Sequence, residues 1–178
     1  MPANLLRLPL IRQATNYTCG VAALQSILAY YGEDLREDTL AKELRADRRH
    51  GTRYRQIVQF AKKRGYEVEV TLGCSSKALK DFIDAGKPTL VLIQAWPNKA
   101  VDFSGDWNDG HYVVAVGYDQ ERFYFMDPST VAQYAYVPFV EFEKRWHDVD
   151  GRTKLQHFAV TISKHAAASE FDSAVPLK

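Results

Sequence analysis

A chain of 178 residues, 46% hydrophobic and 25% charged, is long enough to bury one continuous core and too apolar to remain disordered. Its 23 lysines and arginines stand against 22 acidic residues, so the net charge of +1 excludes a global attraction to nucleic acid or anionic lipid. The longest apolar runs, Thr89–Trp96 and Tyr112–Val116, fall far short of the roughly 20 residues that span a bilayer, so no membrane partner is expected.

In chain order, Met1–Pro9 has neither a basic n-region ahead of an apolar stretch nor a small-residue cleavage site, and the expectation is a cytoplasmic protein. Two cysteines, Cys19 and Cys74, could form one disulfide, but a core of this size in a reducing compartment needs none. After Thr18, an N-cap candidate, Val21, Leu24, Ile27, Leu28 and Tyr31 fall on one helical face, and Gly32 supplies a stop. Leu35, Leu40 and Leu44 predict a short second helix, and Tyr54, Ile57, Val58 and Ala61 a third ending at Gly65. A fourth covers Ser76–Ala85, with Ser75 or Ser76 as cap and Gly86 past its end.

From Tyr66 onward the pattern changes to strands. Tyr66–Leu72 alternates, Thr89–Ala95 is a buried apolar run, and His111–Tyr118 and Arg122–Met126 flank a tight turn at Asp119–Glu121. Gln133–Val137 and Leu155–Ile162 complete about six strands, with a short helix over Pro138–Trp146 and a polar loop over Pro97–Gly110. Helices first and an antiparallel sheet afterwards predict an α+β architecture. One domain is assigned to residues 1–165 and a flexible tail to residues 166–178.

Cys19 falls in the first turn of the strongest helix, where unpaired amides and the positive end of the helix favour thiolate over thiol. A thiolate nucleophile needs a proton carrier, and of the five histidines only His111 opens a buried-looking strand directly after a loop. Asp127 ends the next strand. Paired outward from Gln120, His111 and Asp127 come side by side with a two-residue offset or one bulge. A carboxylate on one imidazole nitrogen leaves the other for the sulfur. An oxyanion needs donors, and the Cys19 amide and the Gln13 side chain, six residues upstream, are candidates. This chemistry calls for no metal and no organic cofactor.

The segment Gln13-Ala-Thr-Asn-Tyr-Thr-Cys19-Gly-Val-Ala-Ala-Leu24, followed by Ile27-Leu-Ala-Tyr-Tyr-Gly32, resembles the catalytic-cysteine block of the C39 (bacteriocin-processing) peptidases and their stand-alone C39-like relatives. Gly110-His111-Tyr-Val-Val-Ala-Val-Gly117-Tyr-Asp119 and Phe125-Met-Asp127-Pro128 are similar to that family's histidine and aspartate blocks. The resemblance covers about residues 10–130 and implies a papain-like cysteine proteinase fold, with Cys19 as nucleophile, His111 as base and acid, Asp127 as orienter and Gln13 in the oxyanion hole. Thr18 stands where many members carry an acidic residue and Val21 where proline is frequent, and neither change removes a catalytic group. The implied activity is that of a cysteine peptidase on a peptide or protein substrate, a leader peptide among the possibilities. A thiol acyltransferase like the phytochelatin synthases, with a similar Cys-Gly-Ala-Ala-Leu run, and a catalytically silent peptide-binding module are the alternatives.

Other features carry plainer readings. Cys74, His147 and His157 are expected to be structural. Asp102, Asp106, Asp109 and His111 crowd one loop without the spacing of a calcium site, so a solvated acidic loop is expected rather than a cation site. Trp96 and Trp107 bracket that loop and either pack it down or line a groove. Arg45–Arg64 holds eight lysines and arginines against one acidic residue, which predicts a solvated face and no nucleic-acid partner in the absence of a recognition motif. Nothing in the sequence sets the oligomeric state.

Overall fold

The computed structural model describes residues 2, 4–96 and 102–164, and the tail assigned to residues 166–178 lies outside the described residues. Three helices come first: α1 (Cys19–Tyr30), α2 (Glu37–Glu43) and α3 (Tyr54–Lys63). They are followed by β1 (Glu67–Thr71), α4 (Ser76–Asp84), β2 (Thr89–Gln94), β3 (Gly110–Tyr118), β4 (Arg122–Met126) and β5 (Ala135–Pro138). The chain then forms α5 (Phe139–Arg145), β6 (His147–Asp150), β7 (Thr153–Gln156) and β8 (Ala159–Ser163). β1 to β5 and β8 form one antiparallel sheet of order β1-β8-β2-β3-β4-β5, and β6 and β7 form a separate hairpin.

Both faces of the main sheet are covered, as the fully buried pattern of β2 requires. On one face, Leu24, Ile27 and Leu28 of α1 pack with Leu40 of α2, Ile57 of α3, and Tyr112, Val114 and Val116 of β3. On the other, Leu79 and Ile83 of α4 and Phe142 of α5 pack with Val113, Ala115, Phe123 and Phe125. The period of two along β3 thus divides its side chains between two cores. Trp146, fully buried, anchors the second core through a 2.9 Å hydrogen bond from its Nε1 to the Phe158 carbonyl.

The expected elements appear, with two departures from about six strands. The expected Leu155–Ile162 strand is two strands, β7 and β8, broken at His157, whose φ of 47° and stacking on Trp146 take it out of extended backbone. β6 is an addition: four residues paired with β7 across a turn at Gly151 (φ 65°). At the N-termini, Ser75 caps α4 by accepting from the Ala78 amide at 3.1 Å. Thr18 holds the N-cap position of α1 without capping it; its hydroxyl turns back onto Thr15 instead.

Candidate active site

The pairing of β3 with β4 decides where the candidate residues meet. Near the turn, Tyr118 pairs with Phe123 and Gly117 with Tyr124; beyond it, Ala115 pairs with Phe125 and Val114 with Met126, so Val116 is an extra residue in β3. Without that bulge the outer register would set Asp127 opposite Val114, on the α1 side of the sheet. With it, the register counted one residue past Met126 sets Asp127 opposite Val113, on the same face as His111. The bulge is held by the N-terminal segment, whose Leu6 amide donates to the Val116 carbonyl at 2.7 Å. The two side chains meet diagonally, His111 Nε2 lying 2.7 Å from Asp127 Oδ1.

Asp127 is itself enclosed by donors. Its carboxylate accepts from the Ser129 amide, the Ser129 hydroxyl and the Thr130 hydroxyl, each at 2.8 Å. Burial alone would raise its pKa, but the hydrogen bond and charge of His111, with the Ser129 and Thr130 donors, bring it down to about 2. For His111 burial works in the lowering direction; the Asp127 carboxylate and the Cys19 sulfur outweigh it and raise the imidazole from 6.5 to about 9. Both groups are therefore charged across the neutral range. The His111 contribution to stability is fully present below pH 6.5 and lost as pH rises through about 9. That of Asp127 is present above pH 3.8 and lost as pH falls through about 2.

Cys19 is the first residue of α1, half-buried, and its thiol lies near enough to the His111 ring to act on its charge. Since Nε2 is taken by Asp127, the buried Nδ1, which has no hydrogen-bond partner among the described residues, is the nitrogen left for the sulfur. Gly20 allows α1 to sit this close: a Cβ there would lie 2.7 Å from Thr52 Cβ and 2.9 Å from Tyr112 Cδ2. Gly20→Ala is therefore expected to lower stability by about 1–3 kcal/mol and to displace Cys19, which urea denaturation and the rate of thiol alkylation would both register.

Gln13 reaches the same region, because its amide donates to the Pro128 carbonyl at 3.0 Å, one residue beyond Asp127. One side-chain N–H is spent on the Thr15 carbonyl at 2.7 Å, which leaves the second. The structure thus brings Cys19, His111 and Asp127 together and sets Gln13 beside the Asp127 loop.

Cys74 is buried against α4, where burial, with Glu69 and Glu143 nearby, pushes its thiol up to about 11. His147 is buried, its Nε2 2.6 Å from the Asp106 carbonyl, and Trp107 packs on its ring. His157 stacks on Trp146. The two tryptophans have different places: Trp107 holds the loop down, while Trp96, 48% exposed and at φ 48°, covers the His111 ring at 4.5 Å between centroids. Residues 97–101 of the expected loop lie outside the described residues. The Asp102 and Asp106 carboxylates close local turns onto Ser104 and Asn108, and among the described residues no group of three acidic, histidine or cysteine side chains is placed to hold a metal ion. In the basic stretch, Arg53, Arg55, Lys62 and Lys63 face solvent while Ile57 and Ala61 are buried.

Four neighbours of the site were not among the expected site residues. Ser129 and Thr130 had a signal, since an aspartate at a strand end commonly bonds the backbone two residues on. Trp96 stood next to the loop without a sign that it would cover His111. Asp148 had none: β6 carries its carboxylate into the space a side chain on Gly110 would occupy, and Gln94 Nε2 donates to it at 3.1 Å.

A buried imidazole bonded to a carboxylate near the thiol of a helix-first cysteine, on helices packed against an antiparallel sheet, is the arrangement of a papain-like cysteine peptidase. Residues 5–154 match the Peptidase_C39 like family, and the chain belongs to that family. Among solved structures it is similar to the peptidase domain of Streptococcus ComA, a bifunctional ABC transporter involved in a quorum-sensing pathway. That match has 21% identity and a TM-score of 0.67, over 88% of this chain and 98% of that one. A protein of Bacillus anthracis assigned as a C39-like peptidase matches with 21% identity and a TM-score of 0.69, over 93% and 98%. A double-glycine-motif protease from an AMS/PCAT transporter, solved with its leader peptide, matches with 20% identity and a TM-score of 0.64, over 89% and 92%. A search of curated proteins gives no match. No helix among the described residues is long and apolar enough to cross a membrane.

Proposed function

We propose that this protein hydrolyses a peptide bond with Cys19 as nucleophile, His111 as proton carrier and Asp127 as the group that orients and charges the ring. The observation that carries this reading is the 2.7 Å His111–Asp127 contact on a ring that also has the Cys19 thiol beside it. The thiolate attacks the carbonyl carbon, and the tetrahedral oxyanion receives hydrogen bonds from the Cys19 backbone amide and the second N–H of Gln13. The imidazolium gives its proton to the leaving amine as the C–N bond breaks, leaving a thioester on Cys19. Water, deprotonated by the now neutral ring, adds to the thioester, and collapse of the adduct breaks the C–S bond, releasing the acid and restoring the thiolate and imidazolium. A cavity of about 530 Å³ lined by Trp96, Ile93, Val113, Phe125 and Tyr136 beside His111 suits apolar side chains of an extended peptide. Two free cysteines fit a reducing compartment such as the cytoplasm.

Limited iodoacetamide treatment followed by peptide mapping tests the nucleophile. Alkylation is expected at Cys19 well ahead of Cys74, which is 1% exposed and held up to about 11. Equal labelling of the two in the folded protein would count against the assignment. Added amines separate hydrolysis from acyl transfer, because only a transferase yields the aminolysis product preferentially.

A further inference from the structure

A second, smaller cavity of about 80 Å³ opens on the other side of the candidate nucleophile, lined by Cys19, Thr52, Gly110, Tyr112, Asp148 and Asp150 among others. Its walls are short of positive charge. Among the described residues no lysine or arginine lines it, and His50 at its edge directs Nδ1 at Asp47, 3.2 Å away. Asp148 is 9% exposed and fixed by Gln94, whose own Oε1 accepts from the Asp109 amide at 2.9 Å. Asp150 has one carboxylate oxygen shut away from solvent, and Thr52, 5% exposed, has a buried hydroxyl oxygen; neither atom has a hydrogen-bond partner among the described residues. Burial, with Asp150 and Asp106 nearby, raises Asp148 to about 6, as expected of a carboxylate without a cation.

We infer that this cavity is a subsite for a primary ammonium group of the substrate, held by Asp148, Asp150 and the Thr52 hydroxyl next to Cys19. An ammonium has three N–H donors and no acceptor, and these three side chains offer acceptors without a competing donor of positive charge. The small volume suits such a headgroup, and an anionic group would meet two carboxylates. The ammonium has two possible sources, the free N-terminus of a short peptide or a lysine side chain. As a specificity element the inference rests on the peptidase reading, but the affinity for a cation does not.

The test separates the two. Wild type, Asp148→Asn, Asp150→Asn and Thr52→Val, each checked for fold by circular dichroism, are treated with 2-aminoethyl and 2-sulfonatoethyl methanethiosulfonate, and modification of Cys19 is followed by mass. The ratio of cationic to anionic rates is expected to fall about tenfold in either aspartate variant. Asp150 is only partly buried, so its variant answers the question if Asp148→Asn does not fold. An unchanged ratio in Asp150→Asn overturns the site. In a second arm, quenched peptides are offered with free N-termini, N-acetylated, and N-acetylated with lysine at each position in turn. Faster cleavage of free-amine peptides assigns the α-ammonium, and preference for lysine at one fixed position assigns the side chain. Cleavage of acetylated, lysine-free peptides by wild type as fast as of the ammonium-bearing ones, with both aspartate variants unchanged toward every peptide, overturns the inference. If no peptide is cut while the reagent ratio falls as expected, the cation site stands and the hydrolytic reading fails.

Discussion

Cys19→Ala is expected to lower turnover of any cleaved peptide by about a millionfold, the scale on which loss of a covalent nucleophile acts. The fold should be unaffected, because the side chain is at a helix start and only half-buried. The measurement is a peptide-library digest compared between wild type and variant at matched concentration, with thermal melting as the control. Retention of even a hundredth of the wild-type rate by a folded variant would show that the sulfur is not the attacking atom. Cys74→Ala supplies the contrast. It empties a small buried volume and is expected to cost stability rather than rate.

The second large effect is expected at Asp127. Asp127→Ala should lower kcat by about ten-thousandfold, the scale seen when a triad loses its orienting carboxylate. The pH dependence makes the prediction specific. In the wild type the alkaline limb of kcat/KM should follow loss of the His111 proton near pH 9. Without the carboxylate, burial acts on the imidazole unopposed except by the sulfur, so its pKa falls and the limb moves toward acid. Asp127→Asn keeps an acceptor for Nε2–H and loses the charge, and is expected to show the same displacement with a smaller loss of rate. A pH profile superimposable on that of the wild type would mean that Asp127 does not set the state of the ring, whatever the drop in kcat.

The parts of this site that could be read from the sequence are those fixed by local pattern. The α1 periodicity put Cys19 at a helix start, and the counting of residues on either side of Gln120 put His111 near Asp127, including the allowance for one bulge that Val116 supplies. The His111–Asp127 hairpin is a short-range feature, and short-range features follow from alternation and turn chemistry. Thr18 shows the limit of the same logic: a residue of the right type in the right place does not cap when a nearby threonine competes for its hydroxyl. The β6–β7 hairpin went unread even though Asp150-Gly151 is a turn signal, because four polar-leaning residues with no apolar alternation gave the turn no strand to terminate. Asp148 was out of reach for that reason. Its proximity to Gly110 depends on a hairpin that packs across the sheet, and nothing local to either residue specifies the other.

The extra residue at Val116 also governs how this hairpin tolerates changes in length. Between the bulge and the tip at Asp119–Arg122, an added residue can be taken up as a longer loop, with the inner ladder left as it is. Between His111 and Val116 there is no such slack. Removing one residue there sends His111 to the opposite side of β3, away from the carboxylate, although every residue named in the chemistry is still present. Drift among relatives should therefore gather at the tip, while the stretch from Gly110 to Gly117 keeps its count.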